Sequence, residues 1–188
     1  MNTFLEFEYK YNADTIKLID FINLMTKLNF IKKLDISSWD FYFTSDIEGD
    51  FLRYRESATP ELTKKIKIKE TNNWQRTEID LPLDSNRINL NIVNKFVEIE
   101  GYKENFRIYK FCSIFWFENY NAVYYIVFDK NMKELNRFIE IELDKEKIKY
   151  LQDPSGELRE AEKSLETLGI FAQNRLKKSL FEIYLEKN

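Results

Sequence analysis

The chain has 188 residues, 44% of them hydrophobic and 32% charged, with 16 Phe and 11 Tyr, which suits one packed core and a single domain over residues 1–188. Its 29 basic and 32 acidic residues leave a net charge of −3, so no overall basic field draws it to nucleic acid. One cysteine excludes an internal disulfide framework, and the absence of histidine excludes histidine bases, histidine metal ligands and Ser-His or Cys-His nucleophile pairs.

What remains for chemistry is carboxylate, lysine and arginine, with hard cations such as Mg²⁺ as the natural metal partners. No amino-terminal apolar run has the form of a signal peptide or membrane span, so a cytoplasmic location with no membrane partner is expected.

The first strand is Phe4-Leu-Glu-Phe-Glu-Tyr-Lys-Tyr11. Successive side chains on a strand point to opposite faces, which puts Glu6, Glu8 and Lys10 on one side and Leu5, Phe7, Tyr9 and Tyr11 on the other. For one strand alone, a solvated sheet face explains this. Later strands repeat the device: Arg53 and Arg55 share a face, as do Lys65, Lys67 and Lys69, and Glu140 and Glu142. Like charges two apart gain nothing from each other on a wet surface, whereas an interior holding phosphates and cations needs both signs. The expectation is a polar-lined barrel.

Glu6-Phe-Glu-Tyr-Lys10 resembles the amino-terminal ExExK motif of the CYTH proteins, the triphosphate tunnel metalloenzymes. Phe51-Leu-Arg-Tyr-Arg55 is similar to their LRxR strand, and Arg76-Thr-Glu78 with Asp80 to their RxExe strand. In the Lys64–Glu70 stretch, Lys69 matches the lysine of an LTxKx strand and Lys67 replaces the threonine. Arg107–Phe117 resembles the strand that carries Lys-x-Arg, with Lys110 present and Cys112 where the arginine belongs. Arg107 has the wrong parity to stand in unless a bulge intervenes. Val123–Asp129 and Phe138–Leu143 resemble the closing hairpin, whose last strand reads ExEL.

Between these strands, Leu18, Ile19, Ile22, Met25 and Leu28 have helical spacing after the cap residues of Asn12-Ala-Asp-Thr. Ile88, Ile92, Val93, Phe96 and Val97 do the same between Asn86 and Gly101. A helix is expected from Pro154 through Leu168, ended by Gly169, and a last one from Asn174. The fold class expected is α+β: an eight-stranded antiparallel closed barrel with a charged interior, covered by amphipathic helices. Strands are expected to begin near residues 4, 39, 51, 64, 75, 107, 123 and 138. An eight-stranded barrel has room for one small ligand.

The resemblance implies metal-dependent hydrolysis of a triphosphate, either inorganic tripolyphosphate or a nucleoside or thiamine triphosphate. It implies Lys10, Arg53, Arg55, Lys69, Arg76 and Lys110 as the catalytic cations, with Lys67 and Lys178 further along the substrate. It assigns metal to Glu6, Glu8, Glu140 and Glu142, assisted by Glu78 and Asp129, with Mg²⁺ or Mn²⁺ as cofactor. A class IV adenylate cyclase-like activity and a non-catalytic nucleotide- or polyphosphate-binding role stay open as alternatives. The partner implied is a triphosphate-containing small molecule; nucleic acid would enter only as a 5′-triphosphate end, and a homodimer is left open.

Overall fold

The structure is a computed structural model that describes residues 2–47, 51–67, 75–84 and 88–185, with backbone alone at 2–5, 65–67 and 75–77. Eight strands run β1 (Asn2–Asn12), β2 (Lys32–Thr44), β3 (Phe51–Glu56), β4 (Glu61–Lys67), β5 (Gln75–Pro82), β6 (Lys103–Trp116), β7 (Tyr120–Phe128) and β8 (Glu134–Leu143). They close into a barrel in the order β1-β5-β4-β3-β2-β6-β7-β8. Every pairing is antiparallel. β1 closes the ring by dividing its length: residues 2–7 pair with β5 and residues 8–12 with β8.

Alternation along the strands separates two environments. The odd-numbered residues of β1, Phe7, Tyr9 and Tyr11, face outward and are buried under helices α1 (Leu18–Met25) and α3 (Pro154–Lys163), in a cluster with Phe21, Met25, Tyr124, Ile139, Ile141 and Leu158. Helix α2 (Leu90–Ile99) covers β2, β3 and β4 through Val93 and Val97, which meet Phe41, Phe43 and Tyr54. Glu6, Glu8 and Lys10 of β1 turn into the barrel. Burying a Phe or Leu side chain contributes about 1.5–3 kcal/mol, so the aromatic outer faces tie the helices down and leave the interior for polar groups.

Several element boundaries differ from expectation. β2 begins at Lys32 and β6 at Lys103, because the two pair along almost their whole length with a bulge near Tyr42/Phe43. β4 begins at Glu61. Asn89, whose Oδ1 accepts from Ile92 N at 3.2 Å, caps α2. The helix expected from Pro154 to Leu168 is α3 followed by a 3-10 turn over Ser164–Leu168, ended by Gly169 in the left-handed region. The last helix, α4 (Leu180–Leu185), starts well after Asn174. Its start signal is Ser179-x-x-Glu182, in which Ser179 N and Oγ donate to Glu182 Oε2 at 2.7 and 2.8 Å while Glu182 N donates to Ser179 Oγ at 3.2 Å.

No described helix is long and apolar enough to cross a membrane.

A candidate phosphate and metal tunnel

The barrel encloses a cavity of about 550 Å³, and its wall has two parts. One is cationic. Arg53 and Arg55 project from β3 and Lys110 from β6, all three into the lumen. Arg53 Nη2 donates to Thr63 Oγ1 at 3.1 Å and to Glu61 Oε1 at 3.2 Å, while its Nε is buried with no hydrogen-bond partner among the described residues. Arg55 donates from Nε to Asp40 Oδ1 at 2.9 Å and from Nη2 to Asp40 Oδ2 at 3.2 Å, and Lys110 Nζ lies 2.6 Å from that same Oδ2.

Asp40 is fully buried. Burial alone would raise its pKa, but the charges of Arg55, Lys110 and Arg53 outweigh it and hold the carboxyl well below the usual range. Lys110 is lowered by burial and by Arg55, with Asp40 opposing. Cys112 opens to the same cavity, and burial raises its thiol against the pull of Lys110 and Arg55. The position where an arginine was sought therefore holds a neutral group.

The other part of the wall is acidic. Carboxylate oxygens of Glu6 (β1), Glu78 (β5) and Glu142 (β8) lie within 4.8 Å of one another. Burial pushes Glu142 up; Lys145 pulls it down, Glu6, Glu78 and Glu8 push it further, and the result is about 8. Beside them on β1 stands Lys10, 3.1 Å from Glu8 Oε1 and 2.9 Å from Glu140 Oε1 on the adjacent β8. Tyr125 OH donates to that same Glu140 oxygen at 2.7 Å. Arg53 Nη2 comes within 3.8 Å of Glu78 Oε1, so the two walls meet. The acid cluster is made of hard oxygen donors, crowded enough to favour a positive charge beside them, and its donor set fits a hard divalent cation.

Of the expected site residues, Lys10, Arg53, Arg55, Lys110, Glu6, Glu8, Glu78, Glu140 and Glu142 all line this one cavity. Arg76 and Lys67 are placed by backbone register alone: Arg76 stands opposite Glu6 and Lys67 opposite Arg76, on the face that Glu6 shares. Lys69 lies outside the described residues.

Two of the expected site residues lie away from this lining. Asp129 is not at the acid cluster. The ladder becomes irregular at Val127/Phe128 and the chain turns, and Asp129 Oδ1 accepts from Asn131 N at 2.8 Å and Lys133 N at 2.9 Å to close that turn. Lys178 is exposed and outside the lining. Arg175 is fixed to the outside of β1, ion-paired with Glu162 and stacked 3.6 Å from the centroid of the Tyr9 ring. From there the chain turns Ser179, Leu180 and Phe181, not Lys178, into the barrel end. Phe181 stacks on Phe51 with centroids 4.1 Å apart.

Sequence reasoning missed Asp40, Thr63 and Lys145, and placed Asp80 in the strand of Glu78 without giving it a role. Thr63 was legible: Leu62-Thr-Lys-Lys65 has the Leu-Thr-x-Lys spacing that was sought further along, and Thr63 stands opposite Arg53 and Asp80, donating to Asp80 Oδ1 at 3.0 Å. Asp80, on the same face as Glu78, also lines the cavity. Asp40, in an aromatic strand, gave no charge pattern. Arg107, whose parity spoke against it, pairs on the outside with Glu104 over the Phe41 ring.

The fold and wall define an antiparallel eight-stranded barrel with a charged tunnel. No protein-family model and no curated protein matches the chain. Among solved structures, a conserved hypothetical protein from Pyrococcus furiosus is 21% identical with a TM-score of 0.67, covering 96% of this chain and 98% of that one. A "putative adenylate cyclase" from Vibrio parahaemolyticus is 16% identical with a TM-score of 0.65, covering 98% and 99%. A chain of the Schizosaccharomyces pombe Mediator head module is 10% identical with a TM-score of 0.62, covering 87% and 94%. At these identities the likeness is one of fold.

Proposed function

We propose that the protein hydrolyses a triphosphate held in this tunnel with the help of a divalent cation. The observation that carries the reading is the meeting of the two walls: Arg53 reaches Glu78 in a cavity sized for one small ligand. Arg53, Arg55, Lys110 and Lys10 are the described cations positioned to bind phosphate oxygens, guanidinium doing so as a planar fork. Glu6, Glu78 and Glu142 would hold Mg²⁺ or Mn²⁺, which supplies charge neutralisation at the phosphate when bound. Phosphoryl transfer takes most of its rate from positioning and electrostatics, so a wall without a protein nucleophile is adequate. Glu8 and Glu140 hold Lys10 in place on the barrel wall.

A specific observation also supports binding without turnover. Asp40 engages both Arg55 and Lys110, and Cys112 supplies no charge, so part of the cationic wall is already neutralised.

Phosphorus NMR of the protein with tripolyphosphate or ATP, with and without Mg²⁺ or Mn²⁺, separates these readings. Orthophosphate formed only with metal and lost in Glu6→Ala is the expected result. Cyclic AMP with pyrophosphate from ATP would make it a cyclase, the activity named for the Vibrio protein of the same fold. Shifted resonances with no product would make it a binder, and spectra unchanged throughout would sink the proposal.

A further inference from the structure

Lys145 has no role in the reading above. It sits in the turn after β8, where Asp144 O accepts from Lys147 N at 2.9 Å and Asp144 Oδ1 accepts from Glu146 N at 3.0 Å. That turn brings the Lys145 side chain back over the acidic wall. Its ammonium donates to Glu78 Oε2 and, at 3.1 Å, to Asp80 Oδ2. Glu78 is also one of the three carboxylates that converge within 4.8 Å, and its side chain is 1% exposed, while that of Lys145 is 27% exposed. A cation therefore already stands at the acid cluster, on a flexible four-carbon stem that reaches solvent.

A second observation shows the ammonium to be a partial solution. Asn121 stands opposite Glu142 in register and lines the same cavity, and its Oδ1 is buried with no hydrogen-bond partner among the described residues. An ammonium has three donors; a hard dication takes six or more oxygens and makes use of neutral carbonyls as well as carboxylates.

We propose that Lys145 is the built-in counter-ion of the acidic wall and competes with the divalent cation for it. This rests on the metal-binding reading of Glu6, Glu78 and Glu142. Without metal, the Lys145 ammonium screens the carboxylates from one another. When metal binds, the ammonium leaves Glu78 and Asp80 and swings to the tunnel mouth, where it adds a positive charge for the incoming phosphate. Lys145 is thus a positioning residue that sets the metal concentration at which the tunnel is loaded.

The test is calorimetric titration of Mn²⁺ into the full chain without any phosphate, for the native protein, Lys145→Met and Lys145→Arg, alongside acetylation of the native protein followed residue by residue by mass spectrometry. Removing the competitor is expected to tighten Mn²⁺ binding by about tenfold or more in Lys145→Met, leave Lys145→Arg near the native value, and show Lys145 acetylated faster once Mn²⁺ is present. Equal Mn²⁺ affinity in native and Lys145→Met, or Mn²⁺ leaving Lys145 acetylation unchanged, overturns the inference while the metal site stands. Weaker binding in Lys145→Met also overturns it. No Mn²⁺ binding in any variant removes the metal-binding reading itself, and this inference with it. Because the acetylation arm uses the native protein, a variant that fails to fold does not remove the test.

Discussion

Asp40 Oδ2 and Lys110 Nζ lie 2.6 Å apart inside the barrel, with Arg55 bound to the same carboxylate. This pairing decides how the cationic wall behaves without a ligand: two positive groups are held in place by one buried negative group. Removing the carboxylate takes the shared counter-charge from buried Lys110 and from half-buried Arg55. Asp40→Asn is expected to cost about 3–5 kcal/mol of stability, read by urea denaturation at neutral pH. The acid limb carries the same signature. A carboxyl held below its ordinary pKa of about 3.9 contributes stability that is fully present above that value and lost as pH falls below it, so Asp40→Asn should show a flatter decline below about pH 4 than the native protein.

Glu142 has the opposite sign. Its carboxyl, raised to about 8, keeps its proton in the fold at pH values where the unfolded chain has lost it. Stability is therefore expected to fall as pH rises from about 4.5 towards 8. Saturating Mg²⁺ or Mn²⁺ should flatten this slope, because the cation favours the ionised form. Thermal denaturation across that range, with and without metal, checks both; a native slope unchanged in Glu142→Gln would rule Glu142 out as its source.

Arg53 meets Thr63, Glu61 and the acidic wall at once. If the triphosphate is hydrolysed in the tunnel, Arg53→Ala should lower kcat/KM for tripolyphosphate by on the order of 100-fold or more, as loss of a positioned donor to developing charge does. Steady-state phosphate release measures it. Retention of full activity with an intact fold would place the phosphate elsewhere.

Cys112 faces the lumen near a carboxylate that two cations already share. An arginine there would bring a guanidinium not needed by Asp40, so Cys112→Arg should bind tripolyphosphate about tenfold more tightly, measured by titration calorimetry. Unchanged or weaker affinity would show that the anion does not reach this depth of the barrel.

Phe181 fills the barrel end against Phe51 and Phe106 and is 4% exposed. Phe181→Ala should destabilise the protein by about 3–5 kcal/mol through the cavity it leaves, visible as a lowered denaturation midpoint.

Much of this was legible in the chain itself, since strand alternation is a local property. Glu6, Glu8 and Lys10 had to share a face whatever they packed against, as did Arg53 with Arg55 and Glu140 with Glu142. Facing aromatic residues then fixed which side met the helices. Parity likewise told that Arg107 could not stand in for the missing arginine at Cys112.

What the sequence could not show was distance around the ring. Asp40 is one acid in an aromatic strand, and only the pairing of β2 with both β3 and β6 brings it between Arg55 and Lys110. Lys145 follows its strand in a turn, where no periodicity predicts a direction. Asp129 has the right spacing but loses the tunnel to a turn whose backbone N–H groups it satisfies, and Lys178 loses it because Arg175 is anchored outside by Glu162. Alternation determines the face each strand presents; closure of the barrel and the satisfaction of buried charge decide which groups on those faces meet.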